Sequence, residues 1–147
     1  MIHDLVYRTL LKFKQKPNKE LYYNNVKEET DEFFEAETEH ERVKEAVDII
    51  WVTIGYLWSV FNGNILKVLQ AYKTVYNSNI SKICYSEEDA IRTVEMYKNK
   101  KNKNVTYIKY NDDDGDYWVI YDRNGKYKKG INYVPADMTW ANSNNNI

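Results

Sequence analysis

Eight carboxylates fall within the sixteen residues from Val26 to Glu41: Glu28, Glu29, Asp31, Glu32, Glu35, Glu37, Glu39 and Glu41, offset there only by Lys27. Two more, Glu45 and Asp48, follow closely. Carboxylates at this density either solvate a helix face or hold a cation that relieves their mutual repulsion.

A helical wheel at about 100° per residue separates the two jobs. With Glu29 as origin, Tyr22, Val26, Phe33 and Ala36 form the apolar face around it. Glu32 lies on the flank of that face and Glu28 at its boundary, while Asp31 and Glu35 point away. Most of this acid is therefore a solvated surface, but Glu29 and Glu32 face inward. The next helix repeats the pattern. Its main apolar stripe runs Val43, Val47, Ile50, Ile54, Leu57 and Phe61. Glu45 and Asp48 lie opposite, on a second face shared with Val52, Gly55 and Ser59. A helix with two such faces is packed on both sides. Two inward i, i+3 carboxylate pairs on consecutive helices repel one another unless a cation sits between them. Oxygen ligands without a nearby Cys or His cluster select a hard ion, Mg²⁺ first and Mn²⁺ next. Glu29, Glu32, Glu45 and Asp48 are thus expected to form a magnesium site.

The elements that must position these groups are legible in outline. "DLVYRTLLKF" has helical spacing, and "QKPNKE" breaks it at Pro17. The second helix is expected over Lys19–Glu39, the third over Glu41–Phe61, and Gly63 ends the third. A fourth, Ile65–Asn77, carries Ile65, Val68, Leu69, Tyr72, Val75 and Tyr76 on one face. Four helices joined by short loops predict a bundle over residues 1–83. The character then changes. Ser86 is a good N-cap for "SEEDAIRTVEMYKNK". "VTYIKY", "DYWVIYD" and "KYKKGINYV", divided by "NDDDG" and "RNGK", predict a three-stranded antiparallel meander. The expected class is mainly α, with a small α+β extension over 84–139 and a polar tail over 140–147.

The 147 residues carry a net charge of −1, which gives no global nucleic-acid or membrane signature. The charge is segregated, acid in 28–48 and a basic run, "KNKKNK", at 98–103. A single cysteine, Cys84, suits a reducing compartment. The N-terminal segment does not read as a signal peptide, and the most apolar window, 46–61, is too short for a membrane span. A cytosolic protein is the default expectation.

The same acidic residues carry a resemblance. "EETDE" (28–32) reads as EExxE and "EAVD" (45–48) as ExxD, with twelve residues between them. In this order and spacing they resemble the all-α nucleoside triphosphate pyrophosphohydrolase superfamily. That superfamily includes MazG-like proteins, dimeric dUTPases, dCTP pyrophosphatases and phosphoribosyl-ATP pyrophosphohydrolases. The layout is most similar to the phosphoribosyl-ATP pyrophosphohydrolase-like, MazG-like proteins common in bacteriophages. Their elements after the fourth helix and at the end of the tail read here as "SNISK" (78–82) and "YVPAD" (133–137). The resemblance implies a four-helix all-α NTP pyrophosphatase-type bundle. It implies Mg²⁺-dependent cleavage between the α- and β-phosphates of a nucleotide, with Glu29, Glu32, Glu45 and Asp48 as ligands. Glu28 would be a further ligand or a base for the attacking water. It also implies a homodimer or homotetramer in the cytoplasm of a bacterium or phage-infected cell.

Phosphate needs polar and cationic partners. If the fourth helix continues past Asn77, Asn79 and Lys82 turn inward, and the resemblance assigns this element to substrate contact. Lys82 could equally cap the helix's last carbonyls. Trp51, Tyr56 and Trp58 suit core or interface better than base stacking. His3, His40 and Cys84 lack partners for chemistry. Three other readings compete with the enzyme. They are phosphoribosyl-ATP hydrolysis, a non-catalytic nucleotide- or partner-binding helical module, and single-strand binding through Lys100, Lys101 and the aromatic strands. A nucleotide is the expected partner; nucleic acid and membrane are not.

Overall fold

The computed structural model describes residues 2–101 and 103–142. The end of the polar tail and the middle of the basic run at Asn102 lie outside the described residues, as do the side chains of His3 and Lys101. Helices α1 (Ile2–Lys12), α2 (Lys19–Glu35), α3 (Glu39–Val60), α4 (Ile65–Ile80) and α5 (Glu87–Lys101) precede strands β1 (Val105–Asp112), β2 (Gly115–Asp122) and β3 (Tyr127–Lys128). A 3-10 turn, Thr139–Asn142, follows. The protein is mainly helical with one antiparallel sheet. Contacts divide it into two units between Ala71 and Tyr72, inside α4.

In the first unit the link between α2 and α3 is decided by Thr38. Its hydroxyl accepts the Glu41 N–H at 3.4 Å, and Glu41 Oε2 accepts from the Thr38 N–H at 2.9 Å. This reciprocal capping box satisfies two orphan donors of α3. It starts α3 at Glu39 and stops α2 at Glu35, four residues before the expected end. The signal was present as Thr38-x-x-Glu41. At its other end, α2 is capped by Asn18, whose Oδ1 accepts the Leu21 N–H at 3.0 Å.

α2 packs antiparallel on α3, and α1 packs on α3 through a core that buries Val6 and Leu10. The buried face of α3 includes Glu45, Val52, Gly55 and Ser59, together with Ile54 and Trp58. The face that carries the acids is therefore the packed one. The stripe expected to be the main core divides: Ile54 and Phe61 are buried, but its first half is open, with Val43 57%, Val47 55% and Ile50 42% exposed. On α4, Val68, Ala71 and Ser78 are buried, whereas Leu69, Tyr72, Val75 and Tyr76 are exposed. Apolar periodicity marks a face that wants a partner; it does not say that the same chain supplies one.

The second unit is built on Cys84, Ala90, Trp118 and Ile120, with Val105 and Tyr107 packed against them. Ser86 Oγ accepts the Asp89 N–H at 3.1 Å, the expected N-cap of α5. β1 and β2 pair from Val105↔Asp122 to Asp112↔Gly115 around a two-residue turn. The third strand is far shorter than the sequence suggests. After Lys128 the amides that would extend the ladder go elsewhere. Gly130 N–H donates to Lys82 O (2.9 Å), Ile131 N–H to Thr93 Oγ1 (2.9 Å) and Val134 N–H to Ser81 Oγ (2.9 Å). Each satisfied donor is one fewer for a strand.

The β2–β3 turn is held by Asp122. Its Oδ1 accepts from the N–H groups of Asn124 (2.9 Å) and Lys126 (3.0 Å), and its Oδ2 pairs with Lys128 Nζ at 2.6 Å. The Lys128 hydrogen bond, with the two amides, holds the Asp122 carboxyl below its usual range. A lowered pKa adds stability above the unfolded value near 3.8, and that stability is lost as pH falls through the folded value. Lys128→Ala is therefore expected to lower the melting temperature at neutral pH. Its deficit relative to wild type should shrink as the pH is taken below 4 in a thermal-melt series.

Candidate metal centre

The geometry of the acidic site follows from one helix pairing. Asn18 N–H donates to Ser59 Oγ at 3.0 Å, tying the start of α2 to the end of α3. Four residues along α2 and four back along α3, the Tyr22 ring lies against Gly55. Seven further in the same register sets Glu29 against Asp48, and three more sets Glu32 against Glu45. The steps 4, 7 and 3 are helical repeats, so contacts on one face persist along the pair.

Carboxylate oxygens of Glu29, Glu32 and Glu45 accordingly lie within 4.8 Å of one another. Glu45 is only 8% exposed, Glu29 is half-buried and Glu32 remains exposed. The Glu29 carboxyl is raised above its usual range, first by burial, then by the charges of Asp48 and Glu32, with Lys44 opposing and Glu45 adding. Glu29 thus feels the charges of the other three expected carboxylates, although Asp48 lies outside the three-carboxylate group. A second observation went unread in the sequence. Lys44 Nζ is 3.0 and 2.8 Å from the two oxygens of Glu45 and 2.9 Å from Asp48 Oδ2. These bonds hold the Lys44 amine well above its usual range. The signal was Lys44-Glu45-x-x-Asp48: an i, i+4 pair whose acid also serves the cluster.

The donor set fits a hard divalent cation. Trans oxygens around Mg²⁺ stand about 4.2 Å apart and around Ca²⁺ about 4.6–5.2 Å apart. The three oxygens lie within 4.8 Å of one another, close enough for a single ion to sit among them. Lys44 is 63% exposed at its side chain and can swing to solvent.

The other expected site residues are placed as follows. Glu28 is exposed and outside the three-carboxylate group. Asn79 and Lys82 belong to the second unit. α4 ends at Ile80, before Lys82, and Lys82 Nζ donates to Asn79 Oδ1 at 2.6 Å rather than to a helix-end carbonyl. "SNISK" and "YVPAD" touch each other within that unit: Ser78 Oγ donates to Tyr133 OH at 3.5 Å and Ser81 Oγ to Val134 O at 3.2 Å. Trp58 is core at 5% exposed, Trp51 is 36% exposed and Cys84 is buried. His40 is exposed beside Thr38.

Comparison with protein-family models, with curated proteins and with solved structures returns no match. Among the described residues, no single helix is long and apolar enough to cross a membrane.

Proposed function

We propose that the protein is a Mg²⁺-dependent nucleotide pyrophosphohydrolase that cleaves between the α- and β-phosphates of an NTP, a dNTP or a related nucleotide. The observation that carries the reading is the α2–α3 register, which sets two i, i+3 carboxylate pairs against each other with Lys44 as their neutralising partner. Carboxylates gathered this closely, with Glu45 buried and Glu29 half-buried, repel one another, and a cation relieves that repulsion. The exposed stripe of α3 and the EExxE…ExxD resemblance agree with it.

When bound, a divalent cation supplies charge neutralisation at phosphate oxygens and a water of lowered pKa. Glu29, Glu32, Glu45 and Asp48 hold it. Glu28, at the solvent edge, takes the proton of the attacking water or adds a ligand. Lys44 pairs with Glu45 and Asp48 and would have to yield them to a bound ion. The assignment of Asn79 and Lys82 to phosphate rests on the resemblance alone, and the carboxylate site of the first unit does not depend on it. The assay is pyrophosphate and monophosphate release across the common NTPs and dNTPs and phosphoribosyl-ATP, with and without Mg²⁺. Metal stabilisation without release from any of them would leave a nucleotide-binding module instead.

The active form in this reading is a homodimer or homotetramer that completes a four-helix bundle. Val43, Val47 and Ile50 form an apolar row on α3 that is open in the single chain. Val47→Glu with Ile50→Glu is expected to turn the assembly into a monomer by light scattering after gel filtration. A wild-type protein that is already monomeric at tens of micromolar would refute the oligomer.

A further inference from the structure

The second unit gathers cations that are scattered in sequence. Lys103 follows α5, Arg123 and Lys126 lie in the β2–β3 turn, and Lys128 and Lys129 close β3. They line two adjoining cavities of about 390 and 240 Å³ that share Lys103 and Lys128. The basic lining is completed by Lys82, and the carboxylate among the described lining residues is Asp122. Asp122 and Lys128 neutralise each other, which leaves the charges of Lys82, Lys103, Arg123, Lys126 and Lys129 uncompensated within the lining. The trough is therefore strongly positive in a chain whose net charge is −1. Its aromatic wall is Tyr127, 56% exposed, with Lys82 Nζ 5.2 Å from the ring centroid.

From this we infer that the trough binds single-stranded nucleic acid, a function separate from the carboxylate site. Cations repeated along a concave groove track a chain of phosphates, and an exposed aromatic ring offers a stacking surface to any base. Two cavities in series outrun one compact phosphate group, and the shared lysines make them continuous. A duplex is read by a helix or ribbon that projects into a groove. Here the cations instead line a recess beside a hairpin, which suits an unpaired strand.

Fluorescence anisotropy with a labelled fifteen-residue oligothymidylate tests this on the full chain. Binding at low salt is expected, with log Kd rising against log salt at a slope near 2, from roughly three phosphates at about 0.7 each. Lys103→Glu with Lys126→Glu should weaken it at least about tenfold and flatten the slope by about 1.4. Tyr127→Ala should weaken it with the slope unchanged, the signature of lost stacking. Lys16→Glu with Lys19→Glu makes the same charge change in the first unit and should leave binding intact. An unchanged melting temperature certifies that each variant is folded. The inference is overturned if the strand does not bind at low salt, or if the first-unit variant loses as much as the trough variant. It is also overturned if a duplex binds as tightly, or if free ATP displaces the strand at comparable concentration, which would make the trough a mononucleotide site.

Discussion

Under the proposed function, Glu29→Gln and Asp48→Asn are each expected to lower Mg²⁺-dependent pyrophosphate release by on the order of 10²–10³-fold, the loss expected when one preorganised electrostatic contact to the reacting charge is removed. Both replacements keep shape and hydrogen bonding while removing one negative charge. In metal-free buffer Glu29→Gln has the opposite consequence for stability. Glu29 stands in the field of Asp48, Glu32 and Glu45, with burial adding to its cost, so neutralising it relieves the folded protein. The melting temperature of the metal-free variant is therefore at or above that of wild type. Mg²⁺ then raises wild type and leaves the variant nearly unmoved, since stabilisation by a ligand follows its affinity for the folded state. The crossing of the two melting series, measured beside the activity, separates loss of a metal ligand from misfolding. Variants that keep both wild-type turnover and the Mg²⁺ shift would remove these carboxylates from the site.

Gly55→Ala has the largest effect expected on the helix pair itself. A Cβ at Gly55 would meet the Tyr22 ring, with ring carbons Cδ1 and Cζ at 2.6 and 2.7 Å. That is well inside any real carbon contact. The ring is buried at 6% exposure and cannot simply leave. In an exposed helix, alanine would gain about 1 kcal/mol over glycine. Here overpacking opposes that gain with roughly 1–3 kcal/mol or more. The net expectation is a lower melting temperature and a smaller Mg²⁺-induced shift, because helices pried apart at Gly55 also separate Glu29 from Asp48 two turns away. Tyr22→Ala in the Gly55→Ala background makes room for the methyl. The double variant should lose less than the sum of the two single losses. A Gly55→Ala protein that melts higher than wild type would refute the close crossing.

Much of this site was legible because helical periodicity is local. Wheel positions alone turned Glu45, Val52, Gly55 and Ser59 inward and Glu29 partly so, whereas Glu32, expected to face inward, is exposed. The same local logic found the Ser86 cap and the turn at Asp113–Asp114. Other signals were present but unread. Thr38-x-x-Glu41 marks the start of α3, and Lys44-Glu45-x-x-Asp48 marks the ammonium inside the acid cluster. The third strand was misjudged for a different reason. The amides of Gly130, Ile131 and Val134 are claimed by Lys82, Thr93 and Ser81, up to 53 residues away, and composition carries no trace of such bonds.

By itself, then, the amino-acid order determined which side of each helix holds the acids, because the wheel angle depends only on spacing within one element. Tertiary structure decided what meets those faces. The hydrogen bond from Asn18 to Ser59 and the seat of Tyr22 on Gly55 set the register that brings Glu29 and Glu32 to Glu45, with the charge of Asp48 reaching Glu29. The fold of the hairpin onto the end of α5 likewise gathers Lys103 with Lys126 and Lys128 into one trough. Long-range register and charge convergence depend on how elements dock, and docking is a property of the packed chain rather than of any segment within it.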